Sequence, residues 1–162
     1  MKQVAIFAAG CFWGVQFYFD QVPGVLETEV GYIGGHTDHP TYEQVCSHTT
    51  GHAEAVKIIF DPQKVTYDKL SKHFFRLHDP TQLNRQGPDI GDSYRSAIFY
   101  ADEEQKAAAQ KIIDGLNKSA EYQAPIVTTL EPAGKFWPAE DYHQKFTERT
   151  GKGMCHVAYE PV

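Results

Sequence analysis

Residues 4–9 (VAIFAA) form an unbroken apolar run with β-branched and aromatic members, and Gly10 stops it. A short run of this make-up predicts a strand covered on both faces. Directly after it, apolar residues at 12, 15 and 19 recur with helical spacing. A strand, a glycine and a helix in succession place Cys11 at a strand-to-helix turn. Backbone N–H groups at the start of that helix favour a thiolate. The bland alternative is a small buried cysteine at a strand end, with Phe12 and Trp13 as core.

The same run is shorter than the ~7–15 residue core of a secretory leader, and one lysine precedes it. Ala8-Ala9-Gly10-Cys11 is therefore not expected to be a lipoprotein cleavage site. The chain is expected to be cytoplasmic, with its cysteines reduced.

Further along, residues 25–33, 52–60, 94–100 and 126–130 read as strands. A short helix is expected within 40–48, with Pro40 in its first turn. Thr66 should cap a helix to about residue 78, and Asp102 one to about residue 119. A last helix is expected over 138–150. Residues 79–93, rich in Gly, Pro and Asn, read as a long loop. The expectation is one α+β domain over residues 1–162. Its sheet is mixed or antiparallel with helices packed on it, as in a ferredoxin-like two-layer sandwich. A flexible, irregular C-terminal segment, 151–162, carries Cys155.

Composition narrows the function. The chain of 162 residues has 21 acidic and 15 basic residues, a net charge of −6, and no basic run. Nucleic acid is not expected as a partner. No apolar stretch reaches the ~20 residues of a membrane span. Cys11, Cys46 and Cys155 are too few for a disulfide scaffold. His36, His39, Cys46, His48 and His52 lie close in sequence but match no metal-ligand spacing, so no metal is expected. Cys46 is read as structural, with Val45-Cys46 on the buried face of a short helix. A thiol-protease reading needs a histidine against Cys11 and offers no use for Phe12-Trp13 or Cys155. A redox-sensing module would share the low-pKa thiol but turn nothing over.

Gly10-Cys11-Phe12-Trp13-Gly14 resembles the active-site motif of the peptide methionine sulfoxide reductase A family. Gly31-Tyr32, Gly34-Gly35-His36, Pro40-Thr41-Tyr42, Val45-Cys46, Thr50-Gly51-His52-Ala53-Glu54, Asp79-Pro80-Thr81 and Leu83-Asn84-Arg85-Gln86-Gly87 resemble its further motifs, in order. So do Asp89-Ile90-Gly91, Tyr94-Arg95-Ser96, Tyr142-His143-Gln144 and Cys155-His156. The resemblance implies reduction of methionine S-sulfoxide, free or in proteins. It implies Cys11 as nucleophile, Phe12 and Trp13 as walls of a methyl pocket, and Glu54 as the acid at the sulfoxide oxygen. Tyr42 and Tyr94 match phenols that bond that oxygen, and Asp89 a further polar group. Burial would raise the Glu54 pKa and keep its proton on.

Cys155 matches the recycling cysteine, which would form a disulfide with Cys11. Thioredoxin, or dithiothreitol in vitro, would be the external reductant, with no bound cofactor. The protein is expected to be a monomer. His39 and His48 depart from the residues expected there, and Asp92-Ser93 stand where Thr-Gln is common. Phe136-Trp137 are candidates for a substrate surface or for core.

Overall fold

The apolar run at the start of the chain becomes the middle of a sheet. The structure is a computed structural model that describes residues 2–119 and 121–153. In chain order the elements are β1 (Gln3–Ala9), α1 (Phe12–Asp20), β2 (Val25–Ile33), α2 (Tyr42–Cys46), β3 (Ala53–Phe60) and α3 (Tyr67–Leu77). Then come β4 (Arg85–Gln86), β5 (Asp89–Ile90), β6 (Ser96–Tyr100), α4 (Glu103–Lys118), β7 (Thr129–Pro132), β8 (Trp137–Pro138) and α5 (Phe146–Thr150). Tight 3-10 turns span Asp92–Tyr94 and Asp141–His143. Six strands form one sheet in the order β7-β6-β1-β3-β2-β8. β6 and β7 run parallel and the other neighbours antiparallel, so the sheet is mixed.

Alternation along β1 sends its side chains to two separate cores. Ala5, Phe7 and Ala9 join Phe12, Val15, Phe19, Leu70, Phe74, Ala109 and Ile113 from α1, α3 and α4. Phe7 stacks on Phe19 and Phe74, with ring centroids 5.6 and 5.0 Å apart. Ile6 and Ala8 face the other way, with Ile33, Ala53, Ala55, Ala97 and Phe99. Among the described residues Ala133 and Phe136, rather than a helix, pack on that second cluster. Phe136 thus packs, half-buried, against this cluster, and a Cβ on Gly31 would collide with its ring.

The helix starts fall where capping residues put them. The Thr66 hydroxyl accepts from the Lys69 N–H at 3.1 Å, and the Asp102 carboxylate from that of Gln105 at 2.8 Å. The α+β class with helices on one face is as the sequence reads.

Three local expectations differ. The segment 79–93 is not one loop: it holds the hairpin β4–β5 and the turn that carries Tyr94. Pro40 lies outside α2, because Thr41 is the N-cap. The helix expected over 138–150 is broken into an edge strand, a 3-10 turn and α5. Lys145 sits between the last two with φ 56°, in the left-handed region. Its N–H donates to Gln16 Oε1 at 2.8 Å, and its Nζ donates to both Asp20 oxygens at 2.7 Å. These long-range bonds outweigh local helix propensity.

Candidate active site

Gly10 turns the chain after β1 with φ 94°, a conformation that favours glycine. Cys11 is then the N-cap of α1, 9% exposed, and its side chain makes no capping hydrogen bond. The first amides of α1 therefore need an acceptor from elsewhere. Glu54 supplies one: the Phe12 N–H donates to Glu54 Oε1 at 3.2 Å. Glu54 comes from β3, opposite Tyr32 in the register, and is 1% exposed. Thiol and carboxyl thus share one helix N-terminus. Such a site stabilises negative charge on the thiol, while burial disfavours a charged carboxyl.

The phenols come from shorter elements. A capping box holds α2: Thr41 Oγ1 accepts from the Gln44 N–H, and Gln44 Oε1 accepts from the Thr41 N–H. Tyr42 and Cys46, four residues apart, share one face of that helix and are hydrogen-bonded. Burial raises the Tyr42 pKa, and the bond to Cys46 and the charge of Glu54 add to it. Tyr94 is raised by burial, then by Glu54, Cys46, Asp89 and Cys11. Both phenols keep their protons and can donate. Cys46 is half-buried; burial raises its pKa, and bonds to Tyr42 and Tyr94 pull the other way. Asp89, on β5, is half-buried and bears on Tyr94. Cys11, Glu54, Tyr42, Tyr94 and Asp89 are thus gathered in one region. Cys155 lies outside the described residues.

Two aromatics flank the thiol on α1. Phe12 is buried between Tyr32 and His143, at centroid distances of 5.7 and 5.2 Å. Trp13 stacks on Phe146 at 4.0 Å. Its indole N–H donates to His143 Nδ1 at 2.8 Å, so the neutral ring carries its proton on Nε2. Burial lowers the His143 pKa; the charge of Glu140 opposes it. A Cβ on Gly153, the last described residue, would lie 2.9 Å from Trp13.

Several residues here had no role in the sequence reading. His143 braces Trp13. Glu140 accepts the Tyr32 phenol on Oε1 (2.8 Å) and the Tyr42 N–H on Oε2 (2.9 Å). Cys46 is not core; the buried residue of α2 is Val45. The only hint in the sequence was the i, i+4 spacing of Tyr42 and Cys46. Among the histidines, His52 has its Nδ1 on the Gly35 N–H and its Nε2 on the Thr37 carbonyl. Among the described residues no three His, Cys, Asp or Glu side chains group as metal ligands, and no helix is long and apolar enough to cross a membrane.

A thiol at a helix N-terminus, with a buried carboxyl and protonated phenols, has the make-up of a thiol-based oxidoreductase. Comparison with known proteins gives the kind. The family model described as peptide methionine sulfoxide reductase matches residues 3–162. A peptide methionine sulfoxide reductase MsrA of Geobacter sulfurreducens is 55% identical over 151 residues, covering 93% of each chain. One from Acinetobacter baumannii is 53% identical over 160 residues, 98% of this chain and 91% of that protein. Among solved structures, reduced Mxr1 of Saccharomyces cerevisiae aligns with TM-score 0.91 and 30% identity, over 98% of this chain and 92% of that one. Mxr1 has also been solved in complex with Trx2; that chain shares the fold, with TM-score 0.63 and 22% identity, over 90% of this chain and 84% of that one. The chain belongs to the peptide methionine sulfoxide reductase family. It is an oxidoreductase that reduces methionine sulfoxide.

Proposed function

We propose that Cys11 is the nucleophile of a three-step cycle acting on the S epimer of methionine sulfoxide, free or in proteins. The Cys11 thiolate attacks the sulfoxide sulfur, and Glu54 delivers a proton to the oxygen. Tyr42 and Tyr94 hold that oxygen as hydrogen-bond donors, with Asp89 as a further polar neighbour. Phe12 and Trp13 wall the apolar place for the methyl group, since sulfur and methyl pack well on aromatic rings. Oxygen passes to Cys11 as a sulfenic acid, and methionine leaves. The Cys155 thiol then condenses with the sulfenic acid, releasing water and forming a disulfide. Thioredoxin reduces that disulfide by thiol exchange.

The observation that carries this reading is the Phe12 N–H bond to Glu54 Oε1 at 3.2 Å, which joins the Glu54 carboxyl to the residue that follows Cys11. The position of Gly153 against Trp13 supports the recycling step. Cys155 follows two residues later in the sequence.

Single-turnover and steady-state assays test the cycle. Cys11→Ser should produce no methionine. Cys155→Ser should reduce one equivalent of sulfoxide and then stop with thioredoxin present. Full thioredoxin-driven turnover by the Cys155 variant would refute the recycling role.

A further inference from the structure

His48 and Asp92-Ser93 are two of the places read from the sequence as departures, and the fold brings them together. His48 closes α2 from its C-terminal side: its N–H donates to the Val45 carbonyl at 3.0 Å. The residue is left-handed, with φ 61°, which is uncommon outside glycine. Its ring lies flat against Gly91, where any Cβ would collide with it. Nδ1 stands 3.4 Å from Asp92 Oδ1 and 3.4 Å from Ser93 Oγ. The ring also meets Tyr94 edge-on at 6.3 Å. One imidazole therefore touches every residue of the turn that presents Tyr94. Its backbone N–H is bonded to the end of the helix that presents Tyr42. On the far side of that turn, Arg95 donates to the carbonyls of Asp92 and Gly51, both at 3.0 Å, and pairs with Glu131.

We propose that His48 is a positioning residue. It clasps the Asp92–Tyr94 turn to the end of α2 and so fixes the two phenols relative to each other. The inference rests on the proposed roles of Tyr42 and Tyr94. A pair of hydrogen-bond donors aimed at one oxygen tolerates little displacement, and a shift of ~1 Å can cost 10²-fold in rate. The clasp reaches the reaction only through the phenols.

The test uses His48→Gly, because glycine accepts φ 61° and the backbone keeps its turn. Single-turnover sulfoxide reduction is measured for His48→Gly, Tyr94→Phe and the double variant. His48→Gly should be about tenfold slower than the parent, within the range for displaced catalytic groups. In the Tyr94→Phe background the same change should cost less than about twofold, since the phenol it places is gone. His48→Asn, which tolerates the left-handed region and can donate to Asp92, should recover most of the rate. Three results would overturn the inference. A parental rate in His48→Gly with a slow Tyr94→Phe removes the clasp and leaves the phenol reading intact. Losses that simply multiply in the double variant indicate general damage rather than positioning. A parental rate in Tyr94→Phe removes the phenol reading and the clasp with it.

Discussion

Glu54 and Glu140 do the same local job in two places. Each carboxyl accepts the N–H of the first residue of a helix, Phe12 of α1 or Tyr42 of α2. What stands at the N-cap differs. On α2 it is Thr41, whose hydroxyl already satisfies the Gln44 N–H, and the second Glu140 oxygen is taken by the Tyr32 phenol. Burial alone would raise the Glu140 pKa. Hydrogen bonds from the N–H groups of Tyr42 and Glu140 and from Tyr32 outweigh it, and the net shift is downward. Glu140 is thus a settled carboxylate that holds helix, strand and 3-10 turn together. On α1 the N-cap is Cys11, which caps nothing. A helix start with a weak cap is one where a reactive thiol and a buried carboxyl can share the amides. The second carboxyl sets the contrast: on α2 a threonine and a half-buried acid divide the capping between them.

Substitution at the two carboxyls should pull this contrast apart most strongly. Glu54→Gln should slow single-turnover reduction by about 10²–10⁴-fold, the usual share of a general acid. Glu140→Gln should leave that step within about tenfold but cost about 1–3 kcal/mol of stability, because an amide N–H₂ must face a donor. Equal rate losses in the two variants would erase the distinction.

The acid limb of stability sharpens the same contrast. Glu140, with its pKa depressed, contributes stability present above the unfolded carboxylate pKa and lost as pH falls through its folded value. A different group acts at higher pH. Burial, helped by Lys69 and Arg76, lowers His73 from 6.5 to about 4, and its Nδ1 meets the Tyr18 hydroxyl at 2.6 Å. Its neutral form is the native one, so its contribution is full above pH 6.5 and fades as pH drops toward about 4. Urea titrations from pH 7 to 3 should show up to about 3 kcal/mol lost over that upper window. The loss should be absent in His73→Gln, and only the lower window should change in Glu140→Gln.

The smallest effects lie at the caps. Thr41→Ala should lower stability by about 1 kcal/mol. Cys11→Ser places a better capping side chain on α1 and should raise stability by about 0.5 kcal/mol while abolishing activity. A destabilised Cys11→Ser would mean that α1 is already fully capped.

What the sequence made legible was local. The turn from β1 through Gly10 to Cys11 follows from six apolar residues, a glycine and a helical repeat. The starts of α3 and α4 follow from Thr66 and Asp102. Cys11 could be placed on a helix N-terminus by that logic. Its carboxyl partner could not, because 42 residues of chain separate Phe12 from Glu54. Cys46 was misplaced by grouping it with Val45, although adjacent helical residues point about 100° apart. The break at Lys145 depends on Asp20 and Gln16 of a distant helix. His48 was marked as a departure, and only the fold gave it Asp92 as a partner.

The strand that leads into Cys11 is central, yet it is made long before its neighbours. β1 needs β3 on one side and β6 on the other, and β6 lies about ninety residues further along the chain. At ribosomal speeds of ~5–20 residues per second, that separation is on the order of 5–20 s of synthesis. Until β3 arrives, no carboxyl stands beside the thiol. Until the sheet closes, α1 has nothing to pack on, and a nine-residue helix alone is marginal in water. A nascent chain therefore carries Cys11 without its neighbours, and thiol and carboxyl meet only with the finished sheet.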